Sequence, residues 1–174
     1  MINETAGNPA SLVPPDIAAS DKRQNVDERQ PVLQGRKFIV FVLGGSRYAV
    51  DSQLVSEVLR NISAVRIPNT PDWLVGIANL RSEIVTVVDL ELALGEIPAG
   101  GSEPPKHIVV RLETMDAYIA FRVEKLREIV TIDVSRIAPP AGRPKPFESG
   151  TFDHKGSPCT VLNIGKLVES LKLT

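Results

Sequence analysis

One cysteine, two histidines and a 5% share of aromatic residues leave this 174-residue chain poor in side chains that carry metal, redox or stacking chemistry. The lone Cys159 excludes an intrachain disulfide framework and fits a reducing compartment, so the cytoplasm is the expected location. His107, His154 and Cys159 are too few and too scattered for a zinc site, and no metal or cofactor is expected. Cys159, in Ser157-Pro-Cys-Thr-Val-Leu, reads as a small buried strand residue rather than an activated thiol. His154, in Asp153-His-Lys-Gly156, reads as a turn residue, and no catalytic residue emerges. Twenty basic residues against twenty-one acidic ones provide no field to attract nucleic acid or anionic lipid. Stacking aromatics for a nucleic-acid platform are also missing. No apolar run approaches the ~18 residues of a membrane span, and the start of the chain lacks the basic and apolar regions of a signal peptide. Gly44-Gly45 is followed by neither a Lys-Ser/Thr pair nor a helix, which removes a phosphate loop. A protein partner is the class that survives.

What is present is 43% hydrophobic residues, enough to bury a core, arranged in short runs. Residues 1–37 mix proline, small and charged residues without an apolar period and are expected to be a disordered tail. A helix over Leu12–Ser20 would need something to dock it, because Pro14 and Pro15 oppose an isolated one. From Phe38 the pattern changes: Phe38–Leu43, the turn residues Gly44-Gly45-Ser46-Arg47 and Tyr48–Val50 predict a hairpin. Apolar runs at Ser56–Leu59, Ala64–Ile67, Leu74–Leu80 and Ile84–Leu90 predict further strands of a small barrel or sandwich. One helical turn is expected over Leu90–Leu94, stopping at Gly95, and an amphipathic helix over Ile164–Leu173.

The pattern restarts after the Gly/Pro connection Ile97–Pro105, with His107–Leu112 and Tyr118–Phe121. Placing Gly76 over Gly150 aligns Thr86 with Thr160, Val87 with Val161 and Asp89 with Asn163. Upstream, Glu57 falls on Glu128, Ala49 on Ala120, Val55 on Leu126 and Val58 on Ile129. Two related β lobes follow, approximately 38–95 and 106–174 and intertwined, within one domain over 38–174. Asp89 and Asn163 end equivalent strands and are expected to cap the helices that come next.

One stretch is specific: Pro71, Gly76, Asn79-Leu80-Arg81 and Val87-Val88-Asp89-Leu90, preceded by Tyr48-Ala-Val-Asp51 and Val55-Ser-Glu57-Val58. In order and spacing these resemble the CheW-like domain of chemotaxis and pilus-type signalling systems, over roughly Phe38–Leu171. The resemblance implies a mainly β fold of two pseudo-repeated five-stranded SH3-like barrels with short helices and a hydrophobic groove between them. It implies a non-enzymatic adaptor that couples the cytoplasmic tip of a methyl-accepting chemoreceptor to the regulatory domain of a CheA-type histidine kinase. Such a protein binds no nucleic acid, does not insert into the membrane, and reaches membrane-associated arrays through its partners. An adaptor of a twitching-motility or other alternative array is the second reading, and a small-barrel ligand-binding module or enzyme the remote one. The family's motif continues Asn-Leu-Arg-Gly, whereas this chain has Ser82; if that position takes φ > 0, Ser82 is strained by about a kcal/mol.

The positions implied for receptor or kinase contact are Val55, Glu57, Gly76, Arg81 and Val87. Each also has a structural reading. Arg81 either presents its planar charge to a partner or pairs internally with Glu57. Gly76, matched by Gly150, reads as a bend or close strand approach. Val55 and Val87 line a groove or the core, since alternation alone leaves the open face undecided. Trp73 reads first as core packing.

Overall fold

The computed structural model describes residues 35–98, 103–114 and 116–173. The expected Leu12–Ser20 helix and the tail as far as residue 34 lie outside them. Gly35, Arg36 and Lys37 do not belong to a tail: they open the first strand, opposite Asp133, Ile132 and Thr131. In chain order the strands are β1 (Gly35–Leu43), β2 (Ser46–Asp51), β3 (Val55–Leu59), β4 (Leu74–Leu80), β5 (Glu83–Asp89), β6 (Lys106–Leu112), β7 (Ala117–Val123), β8 (Lys125–Asp133), β9 (Glu148–His154) and β10 (Ser157–Leu162). Helix α1 (Leu90–Leu94) follows β5 and α2 (Ile164–Ser170) follows β10.

The strands make two five-stranded sheets, ordered β8-β1-β2-β10-β9 and β3-β6-β7-β5-β4. Replacing each strand by the one five places along the chain converts one order into the other, so the internal repeat is structural. The hairpin that opens each half sits in the other half's sheet. Neither contiguous stretch, 38–95 or 106–174, therefore builds a sheet alone. The registers repeat too: β5 lies parallel to β7 with Val87 opposite Ala120, and β10 parallel to β2 with Val161 opposite Ala49. Each sheet is an SH3-like five-strander whose outer strands remain unjoined by a ladder.

Apolar patterning explains the exchange. In β1, Ile39, Phe41 and Leu43 enter the core between the sheets, while Phe38 and Val40 enter a second core on the first sheet's other face. β6 divides likewise: Ile108, Val110 and Leu112 face the shared core, and Val109 faces a third one inside the second sheet. A strand covered on both faces needs an unbroken apolar run, which Phe38–Leu43 and Ile108–Val110 supply. Gly44 and Gly45, both at positive φ (54° and 81°), close the β1–β2 turn. Such a two-residue turn matches the twist of its strands.

The helices form where the cap residues allow. Asp89 accepts a hydrogen bond from Leu92 N and Asn163 one from Lys166 N, at 3.3 and 3.0 Å. Gly95 ends α1 at φ 75°. Leu90 and Leu94 of α1, and Ile164, Leu167 and Val168 of α2, are buried in the shared core. The segment before each capped strand is tied to it by one bond, Asp89 N to Trp73 O and Asn163 N to Phe147 O. Phe147 is buried and Trp73 half-buried against the same core, so Trp73 is a packing residue.

The run Ala64–Ile67 forms a single bridge rather than a strand: Val65 exchanges both backbone hydrogen bonds with Ile77. Pro68 and Pro71 lack the N–H groups that a longer ladder would need. The bridge brings Val65 O to 2.1 Å from where a Cβ on Gly76 would stand, and Gly76 has φ 148°. In the first sheet, Ala138 bridges Thr151, and a Cβ on Gly150 would lie 2.5 Å from Ile137 Cγ2. Both aligned glycines permit a close backbone approach.

Cys159 lies fully buried on β10 beside Phe38 and Phe152, and burial pushes its thiol up to about 12. His154 is the buried end of β9, not a loop residue, and Arg47 of β2, on the far side of β10, donates from its guanidinium to His154 O.

Gly76→Ala should lower stability by about 2–4 kcal/mol through backbone displacement, read as an earlier urea midpoint with an unchanged slope. Alkaline stability tests the thiol. A group whose folded pKa is raised contributes fully below its unfolded value and loses that contribution as pH rises through the folded one. Stability should therefore fall between its ordinary 9.0 and about 12. Cys159→Ala should flatten that fall in denaturant titrations.

Candidate protein-binding site

Arg81 and Ser82 are the two turn residues between β4 and β5, with Leu80 opposite Glu83. Both adopt positive φ, 52° and 72°, a conformation that suits glycine at the second position. Asn79 Oδ1 holds the turn by accepting from Ser82 N at 3.1 Å. The aligned turn between β9 and β10 is Lys155-Gly156, at φ 54° and 74°, with Asp153 Oδ1 accepting from Gly156 N at 3.1 Å. In the second lobe the glycine is in place; in the first a serine carries the strain.

The glutamates align as closely. β3 bulges at Ser56, between Val55 and Glu57, and β8 bulges between Leu126 and Glu128. A bulge re-aims the next side chain, and each glutamate meets the cation of its lobe's turn. Glu57 Oε2 lies 3.0 Å from Arg81 NH2, and Glu128 accepts from Lys155. The Lys155 hydrogen bond holds the Glu128 carboxyl below the usual range, and His154 Nε2 stands 3.3 Å from the same carboxylate. Leu80 occupies the corresponding place in the first lobe.

Arg81 is 78% exposed and Glu57 21%. An exposed pair of this kind contributes about 0–1 kcal/mol. The guanidinium can therefore leave Glu57 for a partner carboxylate at little cost. The two residues rim a cleft of about 260 Å³ that also takes in Ser56, Leu80, Glu83 and Tyr118. A larger cleft of about 520 Å³ begins on the other side of Ser56, between Leu54, Val55, Leu112 and the start of α2 at Gly165. The outer face of the β4–β5 hairpin adds exposed Ile77 and Ile84, with Val65 alongside.

The sequence-derived contact set divides. Glu57 and Arg81 meet at the rim, and Val55 is half-buried between the shared core and the larger cleft. Val87 is completely buried with Val85, Val109 and Ala120, so its side chain presents nothing to a partner. Strand alternation sends it inward. Gly76 is buried beneath the Val65 backbone, so both residues leave the contact set. Leu54, Leu112, Tyr118 and Gly165 come from four separate elements, and no local sequence signal marks them as neighbours.

Comparison with known proteins adds the following. The model of a family described as CheW-like domain matches residues 37–172. The Chemotaxis protein CheW of Klebsiella aerogenes is 29% identical over 105 residues, which are 60% of this chain and 62% of that protein. Protein FrzA of Myxococcus xanthus is 29% identical over 79% of this chain and 88% of its own length. The crystal structure of scaffolding protein TtCheW from Thermoanaerobacter tengcongensis superposes with a TM-score of 0.71 at 28% identity, covering 78% of this chain and 93% of that one.

Relieving the left-handed strain gives a direct check of the turn. Ser82→Gly should stabilise the protein by about 1 kcal/mol, and Gly156→Ser should destabilise it by a similar amount in the same denaturation assay.

Proposed function

The chain belongs to the CheW-like domain family, and from that membership we propose that it is a non-enzymatic scaffold coupling chemoreceptors to a CheA-type histidine kinase. The observation that carries the reading is the reach of the family match, residues 37–172, which takes in both sheets and both helices. The kinase regulatory domain and the cytoplasmic receptor tip bind at once, and no turnover is involved. Receptor state biases kinase state through contacts that differ between the two states, which is what coupling means thermodynamically. Val55, Glu57 and Arg81 touch partners; Gly76 and Val87 support them by holding the second sheet in shape. Among the described residues no helix is long and apolar enough to cross a membrane, and the protein works in the cytoplasm, reaching receptor arrays through its partners.

A second reading, an adaptor of a twitching-motility or other alternative array, has one observation in its favour. Protein FrzA, a relative not named CheW, matches over 79% of this chain and 88% of its own length. Titration against kinase regulatory domains and receptor tips from each system of the source organism separates the two.

Arg81→Glu places like charges together at the rim. It should weaken binding to a receptor tip or kinase regulatory domain by about tenfold or more, roughly 1.4 kcal/mol, with circular dichroism and Tm nearly unchanged. A matching collapse of Tm would make Arg81 a structural residue. Failure of the folded wild type to bind any such partner would sink the scaffold reading.

A further inference from the structure

At one end of each sheet's own small core, aligned positions are filled differently. Two residues beyond the parallel pair Val87–Ala120 stand Asp89 and Arg122, register partners that form an ion pair. Two residues beyond Val161–Ala49 stand Asn163 and Asp51, which cannot form one. The cation for Asp51 comes from the start of β1 instead, as Arg36. The apolar lining differs as well. Phe38 and His107 hold equivalent places, two residues before Val40 and Val109, which lie opposite Ala49 and Ala120. The first sheet thus has a buried phenyl ring where the second has a buried imidazole.

Arg36 lines a cavity of about 450 Å³, within the range of small-ligand sites. Phe38, Ile137 and Val161 of the first sheet's small core form part of its wall. Leu54 and Val134, 40% and 48% exposed, join it from the 3-10 turns that follow β2 and β8. The polar groups around it are unevenly matched. Asp51, with its side chain 9% exposed, has both oxygens engaged: Oδ1 accepts from Gln53 N at 3.0 Å and Oδ2 from Arg36. Asn163 Oδ1 accepts from Lys166 N, and the Ser149 hydroxyl donates to Val161 O at 3.1 Å. The Asn163 amide N–H groups and the other guanidinium N–H groups are donors. Arg36 is 54% exposed, so the opening presents a cation beside an apolar wall.

We propose that this cavity is a binding site for a small amphiphilic monocarboxylate, its aliphatic or aryl tail against Phe38, Ile137 and Val161 and its carboxylate on Arg36. A carboxylate answers the excess of donors, and a planar guanidinium can hold two carboxylates through different N–H edges. An alcohol of the same length brings no charge to the guanidinium, and an ammonium meets it as a like charge. The site is separate from the Glu57–Arg81 rim, and the inference stands independently of the scaffold reading.

The test titrates the full chain with hexanoate, octanoate and 3-phenylpropionate below their micellar concentrations, by calorimetry and thermal denaturation, with octanol and octylammonium as controls. At least one acid should bind saturably with a Kd of about 1 mM or tighter, raise Tm, and shift amide resonances around Ile137, Ser149 and Val161. The controls should bind about tenfold more weakly or worse. Val134→Glu sets a like charge at an exposed edge of the cavity and leaves the Arg36–Asp51 pair in place. It should weaken acid binding by about tenfold, with the Tm of the free protein near wild type. Arg36→Gln should abolish the preference for acid over alcohol, and Arg36→Lys should restore part of it. A folded wild type that binds none of the three acids, octanol binding as tightly as octanoate, or a Val134→Glu variant of unchanged affinity would each overturn the inference. So would saturable binding whose resonance shifts lie elsewhere on the protein.

Discussion

The two hairpins β1–β2 and β6–β7 need cover on both faces, and the rest of the molecule is arranged to give it. One face of each enters the core shared between the sheets, where Phe41, Tyr48, Ile108 and Phe121 meet. The other enters a smaller core completed by strands from the opposite half of the chain. An isolated half would leave a face of its hairpin wet, and removing a single buried aromatic from such a core costs about 3–5 kcal/mol. Exchange of hairpins supplies both covers at once. It also makes the two sheets one packing unit, so the clefts between them have fixed walls.

Polar contacts hold that exchange in register. Glu91 reaches Gly44 N, and Tyr48 donates to Glu96 Oε1 at 2.5 Å, tying the turn after α1 to the opposite sheet. Burial, with the Glu96 carboxylate second, raises the Tyr48 hydroxyl well above its ordinary value, so it stays a donor. Arg122 pairs with the α1 cap Asp89, and Arg36 pairs with Asp51 at the end of β2. These contacts lie where strands change sheets, at the places where a slip would begin.

The two lobes repeat one frame and differ at the rim beside their turns. Both lobes join a post-bulge glutamate to a turn cation. In the first lobe the partner is an exposed arginine beside Leu80, over an open cleft. In the second, His154 stands beside Glu128, and Arg47 crowds the corresponding space. The lobes also diverge at the second helical position, where Glu91 accepts from Gly44 N and the aligned residue is Gly165. A near-symmetric fold thus presents two unlike faces.

Strand positions in the first lobe other than Ala64–Ile67, the Gly44-Gly45 turn, both helix caps and the equivalence of Val87 with Val161 and of Ala49 with Ala120 were legible, because each depends on local pattern or internal alignment. The same logic read Cys159 as a core residue and left Arg81 open between a partner and an internal pair with Glu57, a pair the structure contains. It left Val87 between a groove and the core and read His154 as a turn residue, because alternation identifies two faces of a strand without saying which is covered. The sequence by itself determined where most first-lobe strands lie and which residues are equivalent between the lobes. Only the tertiary structure decided which hairpin lies in which sheet, that Gly76 sits beneath the Val65 backbone, and that Leu54, Leu112 and Gly165 share a groove. Those relations join residues far apart in the chain, and only the packing of both sheets against one shared core brings them together.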